Sequence, residues 1–445
     1  MSRPGRDHDA RLLRHHVHAC YGILQVGKNF RSAVGIGSAF GHAAIFRPFG
    51  TTATLADMIT LFLIVFLDLV GFGMIIPVFP FYAEQVGVNP ASVIFYLGLY
   101  SLGQLVGAPV WGSLSDRVGR RPILLITLLA NAAASAMLAF STTEVMLIAS
   151  RIVAGLAAGN ISAAYAYTTD ITTNETRPRA LGLLGSAFGL GFILGPAIGG
   201  LLAGTDQNDP SSLARVALGA AVMSLIAFAL TLLRLPESLP PEKRAQQHTK
   251  RAGMLTYLRR PVLRDLLLST IIVVAAVALL QSTLALWAAD RLQVGPRMLG
   301  WIYGFTGVIS VVVQAGVIGR LTTRFGAARL TRAGAVLIAI GMACIPPVHS
   351  IGLLLVALSI FSIGSAMFNP SMSGLVAAAA EPHERGSVLG AYQGAASLGR
   401  VIGPFTASVV ARMGTLSWPM MVGAVVSLIG AVLIHSRAAS PTEKP

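Results

Sequence analysis

Three ionisable residues, Asp68, Arg151 and Arg400, lie inside long apolar stretches of this 445-residue sequence. A charge at the centre of a bilayer costs at least about 2.5 kcal/mol, so a charged residue in a membrane segment usually serves a function. A carboxyl group can escape this cost by binding a proton, which it releases again when it meets water. Asp68 is therefore a candidate proton carrier. The simpler alternative is a structural hydrogen bond to a neighbouring helix.

The two arginines stay charged, because the guanidinium group is not deprotonated in proteins. A fixed cation beside Asp68 would favour release of its proton, but the sequence does not show whether Arg151 reaches Asp68. Arg400 precedes Gly403 and Pro404. It could attract an anionic group in a cavity, or backbone carbonyl groups near the proline could satisfy it. Both arginines thus keep a functional and a structural interpretation.

The elements that must position these residues are membrane helices. The chain is 54% hydrophobic and only 11% charged, whereas a soluble domain carries about 25% charged residues. A helix needs about 20 apolar residues to cross a bilayer, and twelve such stretches follow one another in the sequence. We number them spans 1 to 12: Met58–Pro80, Ser92–Trp111, Ile123–Phe140, Val145–Tyr167, Ala180–Ala203, Val216–Leu233, Leu266–Ala289, Met298–Gly319, Ala333–Pro346, Ile351–Leu375, Gly386–Ala411 and Gly414–His435.

The placement of basic residues predicts the orientation of these spans. One set of alternate loops, with the C-terminal tail, holds 20 Lys and Arg residues, and the opposite set holds 4. Because basic loops stay in the cytoplasm, both termini and the central loop are predicted to be cytoplasmic. Most of the net charge of +15 comes from these loops, and no basic face with interleaved aromatic residues suggests a nucleic-acid partner.

Two motifs recur along the chain. Residues 112–119 match residues 319–326 at an offset of 207, and Gly195-Pro196 matches Gly403-Pro404 at an offset of 208. Two similar six-helix bundles are therefore predicted, and such repeats place a substrate site between them near the middle of the bilayer. The expected organisation is an N-terminal bundle at 58–235, a cytoplasmic linker at 236–263, a C-terminal bundle at 264–437 and a tail at 438–445.

The first 57 residues contain no span, and we expect them to be disordered or a mis-assigned N-terminal extension. Their histidines at positions 15, 16 and 18 are a compositional hint of metal binding and no more. Cys20 and Cys344 have neither disulfide nor metal spacing. No metal site, cofactor or nucleotide motif is predicted, and no nucleophile has a paired base, so the chain is not expected to be an enzyme.

Several motifs resemble those of the major facilitator superfamily, and the resemblance extends from Met58 to the C-terminus. The motif between spans 2 and 3 contains Gly112, Asp116, Arg117, Gly119, Arg120 and Arg121. The motif in span 5 is similar to that of drug–proton antiporters and contains Gly191, Gly195, Pro196, Gly199 and Gly200. Further matches are Leu67-Asp68 with Pro77 and Pro80, Arg151 with Gly155 and Gly159, and residues 168–172. Within the superfamily, the likeness is closest to the twelve-helix tetracycline-efflux proteins.

The resemblance implies an all-α membrane protein of twelve helices, with two six-helix bundles related by a pseudo-twofold axis. It also implies proton coupling by Asp68 and Arg151. Asp116 would latch against the start of span 11 in the outward-open state, and Arg120 would pair with Asp170. For span 5, the four-residue glycine spacing itself predicts a face of close backbone contact. We expect this face to form a seam between the two halves, with ordinary helix packing as the alternative.

The sequence departs from the tetracycline exporters at three places. Those proteins carry membrane acids in spans 3 and 9, where this chain has 131–134 (Asn-Ala-Ala-Ala) and no acid, respectively. They also carry a histidine in span 8, where this chain offers Ser310. These departures argue against tetracycline itself as the substrate.

The predicted function is export of a drug-like or other small organic molecule in exchange for protons, by alternating access in a bacterial inner membrane. A metabolite exporter or facilitator of the same fold is the main alternative, and a non-transporting membrane sensor or scaffold is a third. The expected partners are substrate, protons and lipid, without nucleic acid, and the expected state is a monomer. Polar side chains in spans 7, 8, 10 and 11 could line the substrate cavity: Gln281, Gln314, Asn369, Gln393 and Arg400.

Overall fold

The computed structural model describes residues 55–173, 175–204, 210–239, 254–381 and 384–434. These residues form helices at all twelve predicted positions and contain no β-strand. Spans 1 to 12 are Leu55–Ile75, Pro90–Val118, Arg120–Ala139, Glu144–Asp170, Arg177–Ala203, Pro210–Arg234, Pro261–Leu292, Pro296–Phe325, Ala327–Cys344, Ile351–Ala378, Arg385–Met413 and Trp418–Leu433. Two short helices, Phe79–Gln85 and Met254–Tyr257, lie between spans. The predicted tail, and the predicted extension up to residue 54, lie outside the described residues.

Ten of these helices, spans 1 to 10, are long and apolar enough to cross a membrane by length and composition alone. Span 12 is equally apolar but has only 16 residues. Span 11 has 29 residues, which is ample length, but Arg400 and many small polar residues lower its hydropathy. The prediction of a membrane protein with twelve long helical segments therefore agrees with the structure, with spans 11 and 12 as the weaker signals.

The predicted bounds of spans 2 and 3 leave residues 112–122 as a loop of about ten residues, and this prediction is wrong. Span 2 continues as helix through Asp116 and Arg117 to Val118, and span 3 begins at Arg120. Gly119 alone joins them, with a φ of 119° that favours glycine. Gly326 makes the same joint between spans 8 and 9, with a φ of 79°. The two joints occupy matching positions of the sequence repeat.

Three spans depart from a single regular helix. Span 1 was predicted to reach Pro80, but it ends at Ile75, because Pro77 cannot donate a backbone hydrogen bond within the helix. Span 4 breaks after Ala157 and resumes at Asn160. Span 8 contains one turn of π-helix, Val313–Val317, and π-turns inside α-helices are frequent at functional sites.

Helix packing repeats between the two halves of the chain. In the first half, span 1 packs against spans 5 and 6, span 3 against spans 4 and 6, and span 2 against span 4. In the second half, the same pairings recur with each span number raised by six. The fold is therefore two similar six-helix bundles related by a pseudo-twofold axis, as the sequence repeat predicts.

The two halves meet along two helix pairs, span 2 with span 11 and span 5 with span 8. The Ser408 hydroxyl donates a hydrogen bond to the Ala91 carbonyl oxygen at 2.7 Å. The Phe95 and Phe405 rings meet edge to face, with their centroids 4.9 Å apart. All of these residues lie where span 2 begins and span 11 ends. We call this end of the molecule the far end.

At the other end, which we call the basic end because it holds Gly119, Arg120 and Gly326, the halves separate. Span 5 faces span 8 through Gly200 and, further along, through Gly189, where an added Cβ would lie 3.3 Å from Val311. One and two turns closer to the basic end, a Cβ added to Gly185 or Gly182 would meet no atom within 4 Å. The structure is therefore closed at the far end and open towards the basic end.

Candidate functional site

Asp68 lies in span 1, and uncharged side chains of its own half hold its carboxyl group. Asn131 of span 3 donates a hydrogen bond to Oδ1 at 2.9 Å, and Asn160 of span 4 donates to Oδ2 at 2.7 Å. The Ser224 hydroxyl of span 6 is a third hydrogen-bond partner. Asp68 is only 6% exposed. A carboxyl group in such a setting can be stabilised without a cation.

Local breaks in the helices create this arrangement. Asn160 is the first residue after the interruption of span 4, which turns its side chain towards span 1. Asn131 belongs to the segment of span 3 where the tetracycline exporters carry an acid. In this chain its amide donates a hydrogen bond to Asp68. Nothing in the sequence assigns either asparagine to Asp68.

Arg151, the other half of the predicted proton-coupling pair, does not form an ion pair with Asp68. It is 3% exposed, and its guanidinium lies over the Phe79 ring, 4.9 Å from the centroid. Its Nε and Nη2 are buried and have no hydrogen-bond partner among the described residues. A buried donor without an acceptor is unfavourable, so Arg151 is held in a state that an additional acceptor would stabilise.

Tyr100 of span 2 connects these groups, and sequence reasoning missed it. Its backbone packs on Gly155, one turn along span 4 from Arg151. Its ring stacks on that of Phe72 in span 1, with centroids 4.7 Å apart. A tyrosine among apolar residues gives no signal in the sequence that would distinguish it from an ordinary packing residue.

Arg400 lies on the face of span 11 that is turned towards the first half. Pro404, one turn away on this face, contacts Gly98 of span 2. In the opposite direction, the same face continues through Ser397, Gln393 and Gly390, where an added Cβ would meet no atom within 4 Å. Arg400 is partly exposed and donates to the Ser397 hydroxyl at 3.0 Å. It therefore lies where the contact between the halves gives way to open space.

The four amides predicted to line the cavity are all exposed. Gln314 lies in the π-turn of span 8, just beyond the last contact of that helix with span 5. The backbone carbonyl of Asn369 in span 10 accepts a hydrogen bond from the Tyr392 hydroxyl of span 11 at 3.4 Å. Gln281 accepts a weak bond from Tyr303 through its backbone carbonyl at 3.5 Å. Of the four, Gln314 and Gln393 are the ones that border the gap.

The motif between spans 2 and 3 forms a charge network within the first half. Arg120 is 2% exposed, and its Nε lies 2.9 Å from Asp170 Oδ2, which is the pairing the resemblance implies. Its Nη1 lies 2.5 Å from Asp116 Oδ1 and 2.9 Å from Ser115 Oγ. Gly119 is buried at the joint, whereas Arg117 is exposed. In this structure Asp116 forms an ion pair with Arg120. Its contact with the start of span 11 remains a prediction for the outward-open state.

A residue of the predicted linker completes this network. Glu237 Oε1 accepts a hydrogen bond from the backbone N–H of Arg120 at 2.8 Å, and Oε2 accepts from that of Arg121 at 3.2 Å. These are the first two residues of span 3, so Glu237 satisfies donors that a helix N-terminus leaves unpaired. Ser238 donates to Asp170 at 3.1 Å. The beginning of the predicted linker is therefore bound to the first half.

The glycine motif of span 5 also requires a correction. A Cβ added to Gly191 would lie 2.6 Å from Leu69 Cβ, and one added to Gly195 would lie 2.8 Å from Gly73 Cα. Gly199 faces Met74 in the same way. These contacts are with span 1, so the predicted seam between the halves is a seam inside the first half. Residues four apart share one face of a helix, and this face is turned towards span 1.

Gly200, the next residue in the motif, is the one that reaches the other half. A Cβ added to it would lie 2.9 Å from Gly300 Cα in span 8. The Pro196 carbonyl oxygen is also close to Gly300, although span 5 continues as helix through Pro196. The motif thus joins span 5 to two different neighbours, one on each face.

Known membrane transporters are similar to this chain in sequence and in fold. The model of the Major Facilitator Superfamily matches residues 61–317 and 266–445. The class H tetracycline resistance protein of Pasteurella multocida is 26% identical, over 86% of this chain and 98% of that protein. The class C tetracycline resistance protein of Escherichia coli is 29% identical, over 82% and 92%. The crystal structure of the human organic anion transporter MFSD10 matches with a TM-score of 0.65 at 24% identity, over 85% of this chain and 99% of that one.

Proposed function

Because this chain belongs to the major facilitator superfamily, we propose that it is a proton-coupled exporter of a small organic molecule. Membership makes it a multi-pass membrane transporter. The finer assignment to proton exchange depends on one observation. Among the residues that the structure describes, Asp68 is the only acidic one that lies well inside a span, away from helix ends. It is buried, and amides hold it instead of a cation.

A carrier of protons must be stable in both protonation states. Amide donors stabilise an ionised carboxylate through hydrogen bonds. They leave no fixed positive charge in contact that would prevent proton uptake. Phe72, one turn from Asp68 in span 1, stacks on Tyr100, whose backbone packs on Gly155, one turn from Arg151. Events in the space between the halves can therefore change the electrostatic balance at Asp68, which is the coupling that an antiporter needs.

The open gap supports alternating access. With the basic end on the cytoplasmic side of a bacterial inner membrane, as the loop charges predict, this structure is an inward-facing state. Separation of span 2 from span 11, and of span 5 from span 8, would expose the gap to the opposite side. Both termini are then cytoplasmic, and a monomer is sufficient for the cycle.

The relatives favour efflux of a drug or similar compound. The tetracycline resistance proteins and the multidrug resistance protein 2 of Bacillus subtilis are similar over most of their lengths. A metabolite exporter or facilitator is the second candidate, because spans 3 and 9 have no acid where the resembling tetracycline exporters have one. Accumulation of a metabolite in a deletion strain that keeps normal drug tolerance would favour the second candidate.

Everted membrane vesicles test the proposal. A respiratory pH gradient is recorded by the quenching of a fluorescent amine, and tetracycline, ethidium and 2-naphthoate are added in turn. At least one compound is expected to release protons and restore fluorescence in the wild type. Asp68→Asn should reduce this response to background, because an amide cannot carry the proton. The matched control is Asp290→Asn, the same change at an exposed position at the end of span 7. A normal response in Asp68→Asn at wild-type protein level would contradict the proposal.

A further inference from the structure

The interior of the two bundles carries more positive than negative charge. Away from the helix ends, the spans hold two arginines, Arg151 and Arg400, and a single acid, Asp68. Two amides of the first half already bind the Asp68 carboxyl group. Neither arginine forms an ion pair with an acidic residue in the part of the chain that the structure describes. A buried cation without a partner is costly unless another group compensates it.

The state of Arg151 points to an absent acceptor. Its side chain is 3% exposed, and two of its three nitrogen atoms are buried without an acceptor among the described residues. Phe79 covers one face of the guanidinium at 4.9 Å. The guanidinium is planar and offers its N–H donors at the edge of that plane. The unpaired Nε and Nη2 therefore form a ready pair of donors for an anionic group.

Arg400 offers a second cation from the other half. It lies on the face of span 11 that contacts span 2 through Pro404 and borders the gap at Gln393. Its hydrogen bond to the Ser397 hydroxyl is donated by Nη2. Span 2 lies between the two arginines. The Tyr100 backbone packs on Gly155, one turn of span 4 from Arg151, and Gly98 contacts Pro404, one turn of span 11 from Arg400. The two cations therefore approach the same part of span 2 from opposite halves.

From these observations, and resting on the transport function proposed above, we propose that the gap binds an organic monocarboxylate, with its carboxylate held by Arg400 and Arg151. Two arginines and one ionised aspartate leave one positive charge, which one carboxylate balances. A carboxylate matches the forked geometry of a guanidinium and can be bound at two points. The stacked Phe72 and Tyr100 rings provide an aromatic wall for the organic part of the ligand.

The proposal predicts that a carboxylate binds and that its uncharged ester does not. The full chain, purified in detergent, is heated with 2-naphthoate or with methyl 2-naphthoate, which has the same ring but no charge. The carboxylate should raise the Tm in a concentration-dependent manner, and the ester should not, since a ligand stabilises the state it binds. Tetraphenylphosphonium, an apolar cation, should also leave the Tm unchanged.

Variants assign the effect to Arg400. Arg400→Gln should weaken the apparent affinity for 2-naphthoate by about tenfold or more, as expected for loss of a charge-assisted contact. Arg400→Lys keeps the charge without the fork and should retain part of the affinity. Arg412→Gln is the matched control, because Arg412 is exposed at the end of the same helix. If Arg400→Gln lowers the Tm of the free protein, the apparent affinity for 2-naphthoate is compared between Arg400→Lys and Arg412→Gln instead. A lower affinity in Arg400→Lys then supports the proposal.

Equal Tm shifts for acid and ester, no shift for either, or equal affinity in Arg400→Lys, Arg400→Gln and Arg412→Gln would each overturn the proposal. The vesicle assay separates this failure from that of the proposed function. Carboxylate binding that depends on Arg400, without any Asp68-dependent proton release, supports the anion site and contradicts antiport. Proton release driven by ethidium and not by 2-naphthoate supports antiport and contradicts the anion site.

Discussion

Single charged side chains in the first half find their partners far away in the sequence. Asp68 is bound by asparagines 63 and 92 residues further on, and Glu237 caps a helix that begins 117 residues before it. The position of Asp68 inside an apolar span was predictable, because a charge there stands out. Its partners were not, since they depend on how the spans are rotated against one another. The same reason hid Tyr100 and Glu237.

Glu237 gives a prediction about stability at this scale. Glu237→Ala removes the acceptor for the first two N–H groups of span 3, and loss of such a cap typically costs about 0.5–2 kcal/mol. We expect a lower Tm in detergent, together with faster proteolysis near residue 237. Glu175→Ala, at an exposed position before span 5, is the control. An unchanged Tm in Glu237→Ala would show that water replaces the carboxylate without cost.

At the scale of helices, the spacing of small residues predicted a close backbone contact but not the helix that makes it. Glycines four apart in span 5 correctly indicated a face of close backbone contact. They could not indicate the neighbour, because span 1 and the opposite half both lie against span 5. The repeat helps here, since Gly399 and Gly403 face span 7 as Gly191 and Gly195 face span 1. Tight packing inside each half is therefore the shared role of this motif.

The ends of helices were predicted least well. The sequence suggested a loop around Asp116 because charged residues usually lie outside the hydrocarbon region, yet the helix continues to Val118. A helix can extend beyond the bilayer into water without losing its internal hydrogen bonds. The interruptions of spans 4 and 8 also had no clear signal. Helix number and order follow from hydrophobicity, whereas helix ends follow from local backbone contacts.

Two glycines of span 5 test the packing of this element. Gly195→Ala would place a Cβ 2.8 Å from both Gly73 Cα and the Val70 carbonyl oxygen, so spans 1 and 5 must move apart. Such overpacking costs about 1–3 kcal/mol, which outweighs the gain of about 1 kcal/mol in helix propensity. The Tm should fall. Gly185→Ala is the matched control, because no atom lies within 4 Å of its added Cβ. Its Tm should stay level or rise, and the opposite order would refute the assigned packing.

At the scale of the whole molecule, the two halves touch through helices that the repeat relates. Span 2 corresponds to span 8, and span 5 corresponds to span 11, so the contacts of span 2 with span 11 and of span 8 with span 5 are equivalent. The sequence repeat predicted the two bundles. It could not predict which end would be closed, because opposite states of one transporter share one sequence and differ little in free energy.

A cross-link at the far end tests whether this closure must open during transport. Ala91→Cys with Ser408→Cys, in a chain whose Cys20 and Cys344 are replaced by serine, puts two thiols where a 2.7 Å hydrogen bond now joins the halves. Oxidation should abolish transport, and a reducing agent should restore it. Each single cysteine variant should keep its activity under oxidation. Full transport by a quantitatively cross-linked protein would exclude movement at this contact.

The single-glycine joints at Gly119 and Gly326 determine what kind of movement is available. Because the connection is a single residue, a helix on one side cannot tilt or slide without moving the helix on the other side. Spans 2 and 8, which carry the contacts between the halves, are each tied in this way to spans 3 and 9, which pack on the outer helices of their own bundles. A movement of span 2 or span 8 is thus transmitted to span 3 or span 9. We therefore expect each bundle to move as one rigid body, and we expect a flexible insertion at either glycine to weaken the coupling between the two helices that it joins.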